Sequence, residues 1–174
     1  MLIGDGWAFI HIPKCGGTTV RSYLSGVEVG EIMPLGKDCA IRSPFHRMPE
    51  KRPAGKVFTV VRHPADWIRS YWLNCSSQTR FLDQYMSDDL DDFARRLCAG
   101  SPGYVSALYS AHIKWKKIKV FRIEDGLDKA IEYAGGHIEH LHTMNKSMDG
   151  PQLNKRSRRI IARCEARAIK RFLY

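Results

Sequence analysis

Lys14, Gly16, Gly17, Thr18 and Thr19 crowd into one turn, Pro13-Lys14-Cys15-Gly16-Gly17-Thr18-Thr19, and each can help to grip an oxyanion. The two glycines let backbone N–H groups approach it closely, the threonines add hydroxyl donors, and the lysine is a mobile point charge. Such a turn works when a strand delivers the chain to it and a helix N-terminus follows, adding partial positive charge. The sequence supplies both, since Trp7–Ile12 (WAFIHI) reads as a buried strand and Thr18–Leu24 as a helix. The order of residues excludes a Walker A loop. There the lysine follows the glycines and adjoins Ser/Thr, with another glycine five residues before it. A reading as an ATPase or GTPase therefore loses its main support.

A second group follows the strand Val57–Val61 (VFTVV), where Arg62-His63-Pro64 opens a helix over Pro64–Asn74 carrying Asp66, Arg69 and Ser70. Pro64 suits the first helical turn, where its missing N–H costs nothing. Arg62 falls at the carboxyl end of its strand, the edge at which open α/β sheets bind ligands. Ser70 lies eight residues on, about two helical turns away. An arginine fork plus a hydroxyl can hold a second phosphate, separate from the first.

The remaining elements must position these two groups. Ile118–Ile123 (IKVFRI) is a third strand, and Leu90–Leu97, Val105–His112 and Leu127–Ala134 read as helices. A last helix over Lys155–Phe172 sets Ile160, Ile161, Cys164, Ala168 and Phe172 on one stripe. The run Asp88-Asp89…Asp91-Asp92 marks a helix N-terminus and a solvated face. Strands alternating with helices predict a layered α/β domain around a parallel sheet, one domain over residues 1–174. No internal repeat or low-complexity linker interrupts it. Gly30–Gly55, rich in Gly, Pro and charge, reads as an irregular excursion of the kind that carries functional groups.

Composition narrows the classes further. A chain of 174 residues, 44% hydrophobic and with mean hydropathy −0.35, can bury a core and is not wholly disordered. No apolar run approaches the ~20 residues of a membrane helix, and Gly4-Asp5-Gly6 interrupts any signal peptide. The five cysteines (Cys15, Cys39, Cys75, Cys98, Cys164) are scattered without a C-x-x-C pair, which fits a reducing compartment. Of the net charge of +10, residues 151–174 carry +7, with eight Lys/Arg against Glu165 alone. Anionic partners are favoured, without selecting among them.

FIHIPKCGGTT and FTVVRHPADWIRSYW together resemble the two donor-binding signatures of sulfotransferases that use 3′-phosphoadenosine 5′-phosphosulfate (PAPS). The likeness is greatest to the carbohydrate-type group, whose first loop commonly reads H-I-P-K-T-G-G-T and whose second reads V-R-H-P or V-R-D-P. FRIEDGLDKAIEYAG resembles that family's later strand ending in an acidic pair, and MNKSMDGPQL its Asn-x-Ser loop before the final helix. The resemblance implies a P-loop-like three-layer domain with a central parallel sheet flanked by helices. It also implies PAPS as donor, its bisphosphate (PAP) as product, and no metal. Lys14 would then bind the 5′-phosphosulfate, while Cys15, Gly16, Gly17, Thr18 and Thr19 cradle the 5′-phosphate. Arg62 and Ser70 would hold the 3′-phosphate. Cys15 stands where relatives have threonine, Trp67 where many have arginine, and Ala168 at a place often acidic. The Cys15 thiol is also a candidate thiolate, beside Lys14 and a helix N-terminus.

Transfer to a hydroxyl or amine needs a base, and His46 in SPFHRMP, between the two donor loops, is the choice, with Glu31 and Glu50 as fallbacks. His11 reads as a packed strand residue, His63 as a support for the second loop, and His137, His140 and His142 as a surface loop rather than a metal site. Trp67, Tyr71 and Trp72 are core or groove packing, one of them a candidate to stack on adenine. The acceptor expected is a carbohydrate or other small polar molecule. Nucleic acid is disfavoured, no membrane span is expected, and the small size leaves room for a homodimer that completes a groove. A cytoplasmic location follows, or the Golgi lumen for a trimmed domain. The competing readings are a non-catalytic polyanion or nucleic-acid binder using the basic tail, and a P-loop-like small-molecule kinase.

Overall fold

The computed structural model describes residues 1–25, 50–75, 82–136, 138, 150–172 and 174. The architecture is α/β, with a four-stranded, mostly parallel open sheet and seven α-helices among the described residues. The chain gathers into two compact units, Met1–Arg62 with His112–Lys146, and His63–Ala111 with Ser147–Tyr174.

The first unit holds the sheet, in the order β1 (Leu2–Gly4), β2 (Trp7–Ile10), β3 (Lys56–Val61), β4 (Ile118–Arg122). The three strands expected from sequence are present and parallel, with Phe9 beside Phe58 and Val60 beside Phe121. β1 was not expected, and it runs antiparallel, pairing Leu2 with Phe9 and Gly4 with Trp7. Its signal is Asp5-Gly6 between two apolar runs, a two-residue hairpin that needs a left-handed residue; Gly6 has φ +71°. β2 stops at Ile10 and not at Ile12, because the Thr59 hydroxyl donates to the Ile10 carbonyl at 2.7 Å. That satisfies the acceptor from a side chain and frees the chain to turn away from the ladder.

Helix α1 (Gly17–Ser25) follows β2, and α5 (Asp128–Tyr133) follows β4 after a 3₁₀ turn at Ile123–Asp125. Phe9, Phe58 and Val60 form one core with Val20 of α1 and with Leu127, Ala130 and Ile131. Phe58 sits at its centre, edge-on to Phe121 and Tyr133 and 5.2 Å from Phe9. Burying a ring of that size contributes about 2–3 kcal/mol, so this cluster fixes the strands whose ends carry the loops. β3 buries every residue from Val57 to Val61, as expected of a central strand.

The second unit is helical: α2 (Pro64–Cys75), α3 (Leu90–Gly100), α4 (Tyr104–His112), α6 (Lys155–Cys164) and α7 (Ala166–Phe172). Trp67 stacks on Tyr71 and Tyr71 on Phe93, all three buried, so Trp67 and Tyr71 are core residues. Asp89 caps α3 by accepting from the Asp92 N–H at 2.6 Å, and Asp92 pairs with Arg95 and Arg96. The final helix is not continuous. It breaks at Glu165, whose buried carboxylate accepts from the Val105 N–H, the Ser106 N–H and the Ser106 hydroxyl at 2.9, 2.8 and 2.6 Å. The tail's one acid caps the N-terminus of α4 from a distant part of the chain, and the corner is the geometry that lets it do so. Among the described residues, no helix is long and apolar enough to cross a membrane.

Candidate functional site

Because β2, β3 and β4 are parallel, their carboxyl ends lie on one edge of the sheet, and three turns leave from that edge. The first is the loop between β2 and α1. Lys14 has φ +65° and Gly16 φ +76°, so two left-handed residues flank Cys15. Between them the Cys15 N–H donates to the Ile12 carbonyl at 3.4 Å, which closes the turn at the end of β2. Gly16 is required twice over. Its φ excludes most side chains, and a Cβ there would press on Ile123 and Leu127 at 2.9 and 3.1 Å. Gly17 is required by packing alone, since a Cβ would run into the His11 ring. His11 is thus a buried prop under the turn.

The Gly16 carbonyl accepts from the Val20 N–H at 3.2 Å, which makes Gly16 the cap of α1. The first N–H groups of the helix have no acceptor within it and open onto the same turn. Thr18 is half-buried, whereas Thr19 is 1% exposed and Cys15 likewise 1%. Thr18 is therefore the outward hydroxyl of the pair, and Cys15 is packed inward. Its sealed side chain does not suit the reactive-thiolate role.

The second turn starts with Arg62, half-buried at the end of β3. Its Nη1 donates to the Lys14 carbonyl at 3.2 Å, across 48 positions of sequence. A guanidinium so placed holds the peptide of the strained residue and brings a second fixed cation to the first loop. The third turn belongs to β4. Arg122, beside Val61 in the ladder, forms a two-point pair with Asp125, Nε to Oδ2 at 2.7 Å and Nη2 to Oδ1 at 2.6 Å. The hydrogen bond from Arg122 holds the Asp125 carboxyl below its ordinary range, with further help from the charges of Arg122 and Lys129. Ile123 and Leu127 of this turn pack against Gly16, so the first and third turns touch.

His63 opens α2 in the second unit. Its carbonyl accepts from the Trp67 N–H at 2.8 Å and its Nδ1 from the Ala65 N–H at 3.2 Å, so the imidazole is a helix cap. Ser70 is buried on the same helix, one residue after Arg69. Arg69 donates to the carbonyls of Pro151 at 2.7 Å and Gly150 at 3.3 Å, fastening the segment before α6 onto α2. Asn154 then caps α6 while Asp91 accepts from its backbone and side-chain N–H groups.

Of the sequence-predicted residues, the structure brings Lys14, Gly16, Gly17, Thr18 and Arg62 together at one edge of the first unit. Ser70 belongs to the second unit. His46 and Glu31 lie outside the described residues, as do His137, His140 and His142; Glu50 is described and exposed. Sequence reasoning missed Arg122 as a neighbour of this edge, although its R-x-x-D spacing to Asp125 was a usable signal. It named Arg69 without giving it a role, and its carbonyl partners lie 81 and 82 positions away. Compared with family models, with curated proteins and with solved structures, the chain matches none.

Proposed function

We propose that the chain is a sulfotransferase. It would move a sulfuryl group from PAPS to a hydroxyl or amine of a carbohydrate or other small polar acceptor, on a P-loop-like three-layer scaffold. The observation that carries this reading is the hydrogen bond from Arg62 to the Lys14 carbonyl. It joins two anion-gripping elements at the ends of neighbouring parallel strands, as a donor with a phosphate at each end requires.

In this reading the backbone N–H groups from Gly16 to Thr18 hold the 5′-phosphate, and the Lys14 ammonium balances the charge that develops on the bridging oxygen as it leaves. Arg62 orients the 3′-phosphate, the group that separates this donor from ATP. Ser70 enters through the resemblance alone. His46 would take the acceptor proton as the acceptor atom attacks sulfur in line. Bound PAPS supplies the transferable sulfuryl group; the protein contributes position and charge, as in phosphoryl transfer.

A second reading, a polyanion-binding domain, is favoured by one feature. Arg156, Arg159 and Arg163 are exposed on α6 within about a 60° arc, at 100° per residue, and α6 contains no acid. Thermal shift with adenosine 3′,5′-bisphosphate, ATP and a duplex oligonucleotide separates the readings. Selective stabilisation by the bisphosphate, with transfer from labelled PAPS, supports the enzyme. A response to the oligonucleotide alone overturns it.

A further inference from the structure

Cys98 ends the buried face of α3 and Cys164 is the last residue of α6, and the packing of the second unit brings them together from 66 positions apart. The Cys164 thiol donates to the Cys98 carbonyl at 3.8 Å, and both cysteines are in the free thiol form. We propose that Cys98 and Cys164 form a site of reversible covalent modification, a disulfide that staples the end of α3 to the end of α6 when the chain meets an oxidising thiol–disulfide couple.

The two thiols are unequal, and that sets the order of events. Cys98 is 6% exposed, and burial pushes its thiol up to about 12, with Cys164, its hydrogen-bonded neighbour, and Glu165 adding to the shift. Cys164 is half-buried. Glutathione disulfide therefore reacts first at Cys164. The Cys164 thiolate attacks one sulfur, the S–S bond of the oxidant breaks, and one glutathione thiolate leaves. Cys98 then gives its proton to solvent, attacks the Cys164 sulfur of the mixed disulfide, and expels the second glutathione. Two protein thiols lose two electrons in total, and one glutathione disulfide becomes two glutathiones.

The bond would close a loop of 66 residues beside the Glu165 corner, where three donors already converge. Restricting the unfolded chain over that length raises Tm by roughly 5–10 °C. The test treats the full chain with a graded glutathione redox series, followed by non-reducing peptide mapping and thermal unfolding. Expected are a Cys98–Cys164 cross-linked peptide, its reversal by dithiothreitol, and a higher Tm for the oxidised form. The Tm difference should vanish in Cys98→Ala and Cys164→Ala. The peptide map of the unmodified chain needs no variant to fold. Cys164 that stops at the glutathione adduct, or cross-linked peptides that join other cysteines instead, would overturn the proposal.

Discussion

Replacing Lys14 with glycine and, separately, with alanine pulls apart the two things this residue does. Its backbone sits at φ +65°, where an L-residue carries a cost of about 1–2 kcal/mol. Glycine escapes that cost but loses more entropy on folding, about 0.5–1 kcal/mol. Lys14→Gly should thus stabilise the fold by roughly 0.5–1 kcal/mol, raising Tm by roughly 1–4 °C. Lys14→Ala keeps the strained conformation and should leave stability within about 0.5 kcal/mol of the parent. Both variants lose the ammonium. Each should bind adenosine 3′,5′-bisphosphate about 10- to 100-fold more weakly, the worth of one charge-assisted hydrogen bond. Urea unfolding and calorimetric titration of the three proteins give the comparison. A glycine variant less stable than the alanine variant would show that the loop backbone carries no strain. Retained affinity in both would remove Lys14 from the anion site.

Gly17→Ala should cost about 1–3 kcal/mol through overpacking against His11, and His11→Ala should recover part of it; strictly additive losses in denaturant melts would refute the contact. Glu165→Ala leaves the Val105 and Ser106 donors without their carboxylate and should cost about 3 kcal/mol in chemical denaturation, with Glu165→Gln milder; a loss under 1 kcal/mol would count against the cap. Asp125 has a folded pKa below its unfolded one, so its pair with Arg122 stabilises the fold above about pH 4 and that contribution disappears as pH falls through the lower folded value. Carboxyl NMR titration should show the depressed midpoint, and Asp125→Asn should differ from the parent in stability near neutral pH and converge with it in acid.

Legibility followed the range of the forces. The loop at 13–19 was readable because its glycines and threonines declare a local geometry, and the helix after Pro64 because its start signal is local. The β1–β2 hairpin was equally local. Its Asp5-Gly6 turn passed unread because three apolar residues make a weak strand. The corner at Glu165 had no local signal, since α6 and α7 read as one unbroken helix by periodicity and the cause lies 59 and 60 positions away. At the site, the approach of Arg62 to Lys14 follows from β2 lying beside β3 in the parallel sheet that the sequence implied, whereas the Cβ-free contacts of Gly16 with Ile123 and Leu127 required the packed core. Arg69 was obscure for a related reason: an arginine in a helix looks solvated until its carbonyl partners arrive.

The seating of Gly16 against Ile123 and Leu127 has a bearing on how such a chain can be re-engineered. Residues 11–17 and 123–127 behave as one cassette, because bulk gained on either side is felt at once by the other. A chimera that imports a new first loop should bring its matching segment after β4, or the graft will fold with its cradle pried open.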